Sequence, residues 1–266
     1  MRRGESVGQP EKSILPESPG YVGTSNLTSS TERIRNMSRR KQYRGHLTCA
    51  QIAEGITRAT QNAIRLADDA EALLKSDRMP SAVALAILSI EESGKSSILR
   101  HMSIATDDQE WQQLWKEYRS HREKNVLWLL GIRVQQGARN LDELRSLVDR
   151  ESDHPEVLDH LKQLCIYTDC FTLVKWSSPD DIDVQSFAPY LVKMAQILSS
   201  KKTVTAQDIE LWRKHLVPVK GASLDKLKQA VSAWSHDMKN LDLSEESPNE
   251  FNIFLGLECD SVAVKS

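Results

Sequence analysis

Residues 81–95 read Ser-Ala-Val-Ala-Leu-Ala-Ile-Leu-Ser-Ile-Glu-Glu-Ser-Gly-Lys. The first ten are small or apolar on every face of a helix, so neighbours must enclose this segment on all sides. The run passes without a break into Glu91, Glu92 and Lys95, which sets those charges beside the core. Glu91 and Lys95 stand four apart with the acid first, the favourable order for an ion pair on one helical face. On an open surface such a pair contributes only about 0.4 kcal/mol. Partly enclosed, each carboxylate needs a cation close by. Gly94 removes a side chain at the same level and leaves room for another segment or a ligand to approach closely.

Upstream, Ile52, Ile56, Ala59, Ala63, Leu66, Ala70, Leu73 and Leu74 recur at three- and four-residue steps, predicting a helix from about residue 48. Asp77, Arg78 and Pro80 end it, and Pro80 suits the first turn of a second helix over 81–102. Asn62 and Asp69, seven apart, fall on nearly one line of the first helix. There they interrupt an apolar stripe, either as hydrogen-bonded groups that fix packing register or as supports for a site. Downstream, Trp111, Leu114, Tyr118, His121, Asn125 and Trp128 keep the steps of one stripe and predict a third helix over 108–131. That reading puts His121 on the core-facing side, with Lys124 one turn away and Arg119 and Arg122 flanking it.

Further helices are expected at 140–150, 154–176, 183–199, 205–215 and 223–240, with Thr205 and Ser223 as N-caps. No strand pattern and no internal repeat stands out. The fold class is all-α, a helical bundle with a long N-terminal arm. The arm, residues 1–45, holds Gly4, Pro10, Pro16, Pro19 and Gly20 with many Ser and Thr, and reads as disordered. It ends in Arg33, Arg35, Arg39, Arg40, Lys41 and Arg44, a solvated linker or a nucleic-acid contact with only Tyr43 as an interleaved aromatic. The remaining division is a core helical domain at 46–135, C-terminal helices packed on it at 136–243, and a tail at 244–266.

A net charge of -2 gives no overall pull toward nucleic acid or an anionic membrane. No eighteen apolar residues run together, and the N-terminus lacks the apolar stretch of a secretory signal. Cys49, Cys165, Cys170 and Cys259 form no CxxC pair and no zinc spacing, so a cytoplasmic protein with reduced thiols is expected. Gly94-Lys95-Ser96 resembles the end of a phosphate-binding loop, but that motif needs glycine where Ser89 stands and a strand where this chain is helical. Glu117 and His121 lack the second copy that a di-metal bundle requires. A single metal on Glu91, Glu92 and His121 has no standard ligand spacing behind it, and neither do the Asp-His pairs at 153–154 and 159–160. No metal and no cofactor is expected.

The candidate site is therefore Glu91, Glu92, Lys95, His121 and Lys124, supported by Asn62, Asp69 and Arg119. Titratable groups gathered this way mark functional sites and structural networks alike. Histidine is the side chain that ordinarily titrates near neutral pH, which suits it to acid–base work.

The stretch from Ala63 through Ser81–Lys95, with its apolar lead-in to Glu-Glu-x-Gly-Lys, and on to Tyr118–Lys124, with its His-x-x-Lys, resembles the AbiV-type abortive infection family. The resemblance continues more weakly over Leu161–Pro179. It implies a HEPN-like helical core and a part in phage resistance, in which the infected cell is stopped before progeny emerge. Many HEPN-type domains are metal-independent ribonucleases carrying an Arg-x(4–6)-His motif. Here that spacing occurs only from Arg39 or Arg40 to His46, while Arg119 and His121 stand too close together. Two readings follow. In one the chain is a phage-defence effector that cleaves RNA or arrests translation through the polar site. There His121 is acid or base, Lys124 or Arg119 stabilises phosphorane charge, and Glu91 or Glu92 orients His121 or Lys95. In the other it is a non-enzymatic helical binding protein. The partners implied are a phage protein, RNA or the translation machinery, with a homodimer by analogy and no membrane.

Overall fold

The computed structural model of the protein describes residues 41–149, 152–199 and 203–257. Among these the regular structure is helical apart from one two-stranded hairpin. Most of the expected arm, through residue 40, lies outside the described residues. From Arg44 onward they belong to one compact unit.

Two long helices frame the fold, α1 (Cys49–Lys75) and α2 (Met79–Ser103). Thr48 and Gln51 close a capping box at the start of α1, and Pro80 occupies the first turn of α2. Asp77, at φ 57, makes the short turn between them, so the helices run antiparallel. The buried line of α1 is Ile52, Ile56, Ala59, Ala63, Leu66 and Ala70. Helix α2 buries Ala82, Val83, Ala84, Ala86, Ile87 and Ile90, which face several directions as the apolar run demands. Ser89 donates its hydroxyl to the Ala63 carbonyl at 2.7 Å, a fully buried link between the two.

The third helix is shorter than its stripe implied. Helix α3 covers Asp108–Arg119, and Ser120 turns extended at φ -73, ψ 134. A single 3-10 turn follows at Arg122–Lys124, then a short α4 (Leu130–Gln135). The apolar period ran on through this segment because Asn125 and Trp128 are buried, but loop packing and not a helical face buries them.

Residues 140–150 hold only a 3-10 turn at Arg145–Val148. The helix expected over 154–176 stops early, as α5 (His154–Ile166). Strands β1 (Asp169–Phe171) and β2 (Lys175–Ser177) pair antiparallel after it. Leu173 and Val174 turn the hairpin at φ 68 and 56. Aromatic and β-branched residues here favour strand over helix.

Helices α6 (Ala188–Leu198), α7 (Ala206–Leu216) and α8 (Leu224–Asn240) fall where expected. Thr205 accepts the Asp208 amide as an N-cap should, whereas the Ser223 side chain makes no capping bond. The expected tail contains a further helix, α9 (Pro248–Leu255), begun by proline and ended by Gly256 in the left-handed region. Its Phe251 ring meets Trp234 of α8, which holds it down despite a weak period.

One core cluster joins α2 and α6 with Trp128, Leu158 and Cys165; a second joins the start of α1, the end of α2, α3, Val204 and Ile209. Arg100 of α2 forks onto the carboxylate of Asp208, with contacts of 3.1 and 3.3 Å, between the rings of Trp212 and Trp234. No helix among the described residues is long and apolar enough to cross a membrane.

Candidate functional site

Glu91 sits on the enclosed side of α2 and is 3% exposed. Both its oxygens are engaged. Oε2 lies 2.7 Å from Nδ1 of His121, and Oε1 accepts from Nζ of Lys162 on α5 at 2.5 Å. The pair predicted between Glu91 and Lys95 does not form. Lys95 reaches the nearer Glu92 instead, at 2.5 Å, and its ammonium lies 5.3 Å from the centre of the Tyr118 ring. The competing cation from α5 explains the change, because it meets Glu91 from the enclosed side.

His121 leaves the end of α3 on the loop, not on a helical face, and its side chain is 54% exposed. With Nδ1–H given to the carboxylate, Nε2 is the nitrogen left over, and it has no partner among the described residues.

The loop reaches this position through Gly94. A Cβ built there would lie 2.3 Å from the Lys124 carbonyl oxygen, so only glycine lets the 3-10 turn pack on α2. The sequence anticipated a close approach at Gly94, and the segment that makes it is the one carrying His121.

Lys124 is buried. Burial lowers its ammonium pKa from the ordinary value, and the attraction of Glu91 only partly offsets this. Burial acts on Lys162 in the same direction. There the bonds to Asp159 and Glu91 outweigh it and hold the ammonium above its ordinary value. Asp159 lies 2.7 Å from Lys162.

Sequence reasoning missed Lys162 and gave Asp159 no role. The signal was present, because Leu158, Lys162 and Cys165 fall on one buried line of α5, so a lysine occupies a core position. The cluster thus holds three carboxylates, Glu91, Glu92 and Asp159, and three ammoniums, Lys95, Lys124 and Lys162.

Glu91, His121 and Asp159 each offer a ligand atom within 4.8 Å of the others, close enough for a metal ion. The Lys162 ammonium already stands among them, 3.3 Å from His121 Nδ1, and supplies the positive charge at that point.

The three supporting residues lie elsewhere. Asn62 and Asp69 do not interrupt the core line; they both bond Arg65 on the outer face of α1. The apolar line runs one residue further on, through Ala63 and Ala70, a rotation of about 100°. Arg119 folds back on its own helix, donating to the Trp115 carbonyl at 2.9 Å with its guanidinium 4.9 Å from that ring's centre. His46 pairs with Asp108 at 2.7 Å and stacks on Trp111. Its motif partners Arg39 and Arg40 lie outside the described residues.

The site is thus a charged cluster at the flank of two long antiparallel helices. The family model HEPN_AbiV, described as AbiV, matches residues 51–200, and the chain belongs to the AbiV family. No curated protein and no solved structure matches the chain. The matched region contains all seven cluster residues and ends before α7.

Proposed function

We propose that the chain is a cytoplasmic phage-defence effector that cleaves RNA at the Glu91–His121 pair. The observation that carries this is the 2.7 Å contact between the buried Glu91 carboxylate and Nδ1 of a histidine whose side chain is 54% exposed. A carboxylate placed so fixes the tautomer and ring plane and leaves Nε2 as an acceptor, the arrangement of an oriented general base.

RNA suits this site because its 2′-hydroxyl is an internal nucleophile. Nε2 of His121 takes the proton of that hydroxyl, the 2′-oxygen bonds to phosphorus, and the bond to the 5′-oxygen breaks. The leaving oxygen takes a proton from water and the resulting hydroxide takes the proton from His121, giving a cyclic phosphate, a 5′-hydroxyl and the neutral imidazole. Lys95, the cluster's most exposed ammonium, takes the stabilisation of the phosphorane charge. Lys124 is enclosed and Arg119 lies apart, so neither keeps that part.

The test uses cells expressing wild type, Glu91→Gln or His121→Ala, with folding checked by thermal melt. Plaques and RNA integrity are followed after infection. Wild type should reduce plaques and fragment RNA, and the folded variants should do neither. Protection by His121→Ala equal to wild type would remove the site from the mechanism. Protection with intact RNA would favour the non-enzymatic binding reading.

A further inference from the structure

Arg119 was expected at the cluster, and the structure gives it different company. It lines a cleft of about 750 Å³ together with Arg44, Gln112, Trp115, Lys116 and Ser120. Three of these six are cations, and every polar side chain among them can donate a hydrogen bond. Lys116 and Arg119 are at the C-terminal end of α3, where the helix dipole alone would favour positive charge. That does not account for Arg44, which comes from the segment before α1. Trp115 holds that segment in place by donating its indole N–H to the Gly45 carbonyl at 2.9 Å. Burial, and then repulsion from Arg44, lower the Arg119 guanidinium below its ordinary value. Both guanidiniums line the one cleft, and an anion bound there would meet both charges. Ser120, the last lining residue, immediately precedes His121.

We propose that the cleft of Arg44, Lys116 and Arg119 binds backbone phosphates of a single-stranded RNA next to the one presented to His121. This rests on the RNA reading above and deepens it. The strand would cross from His121 past Ser120 onto α3, with the cleft gripping charge and not sequence. Arg119 is then a binding residue that sets where the strand lies, and it takes no part in the bond changes.

The experiment measures binding apart from cleavage, using the full chain carrying His121→Ala. A short fluorescein-labelled single-stranded oligoribonucleotide is titrated by anisotropy over a range of salt concentrations. In that background Arg44→Gln with Lys116→Gln is compared with Lys226→Gln and Lys239→Gln, an equal charge removal on exposed residues of α8. Thermal melts verify folding. The cleft pair should weaken binding on the order of tenfold and flatten the log affinity against log salt slope by about 1.4, two single-strand phosphate contacts. Arg119→Gln added to it should flatten the slope by about 0.7 more. Unchanged affinity and slope in the cleft variants, or an equal loss in the α8 pair, would overturn the proposal. Cleft-dependent binding by a chain with His121 intact that leaves the oligoribonucleotide uncut would support the cleft while removing the catalytic reading of His121.

Discussion

The ammonium of Lys162 lies 2.5 Å from the Oε1 atom of Glu91, joining two buried groups 71 residues apart. The bond ties α5 to α2 at the level where the His121 loop crosses, so it positions the loop as well as neutralising the acid. Lys162→Met should cost about 3 kcal/mol, because it leaves a buried carboxylate with only the histidine as partner. Urea denaturation measures this. Adding Glu91→Leu should return most of the loss, and a double variant as unstable as the single one would contradict the pairing.

Lys124 should behave in the opposite sense. Its folded value is depressed by burial, so at neutral pH the protonated ammonium works against folding. That penalty is complete below the folded value and disappears once the pH passes 10.5, the ordinary value. Lys124→Met should therefore melt higher than wild type at neutral pH, with the gap closing as the pH rises toward 10.5. A gap that stays constant or widens would mean the ammonium is stabilised by its neighbours.

Gly94→Ala should destabilise by about 2 kcal/mol, since the added methyl meets backbone that cannot rotate away. The loop would move with it. The imidazole resonances of His121 should shift in the NMR spectrum of the variant, and a spectrum like that of wild type would show that the loop does not depend on this contact.

Arg100→Met should cost about 3 kcal/mol by leaving the buried Asp208 carboxylate unpaired. Arg100→Lys keeps the charge but loses the fork and the ring stacking, and should fall between the two. Equal melting of the lysine variant and wild type would reduce the interaction to simple charge.

The long helices were legible in the sequence because their burial is periodic. The run from Ser81 to Ile90 could be enclosed in only one way, and α1 kept its stripe for its whole length. The loop after Arg119 was not legible, because Trp128 and Asn125 are buried by irregular backbone that happens to preserve helical spacing. The partner of Glu91 was hidden for another reason. Local spacing offered Lys95, whereas Lys162 comes from a different helix, and a lysine in an amphipathic segment reads as solvent-facing until the buried line through Leu158 and Cys165 is traced. Asn62 and Asp69 were misplaced by one residue of rotation, the distance between a core line and its polar neighbour.

The Arg100–Asp208 fork also separates two boundaries that are easily taken for one. The family match closes at residue 200, yet Asp208 pairs with Arg100 and the fully enclosed Ile209 belongs to the same packing as Ile52, Leu99 and Met102. A fragment cut to the matched span would uncover that apolar surface and strip Arg100 of its carboxylate. The matched span is thus shorter than the stretch of chain that closes this core, and α7 acts as the lid of a core that the match only partly contains.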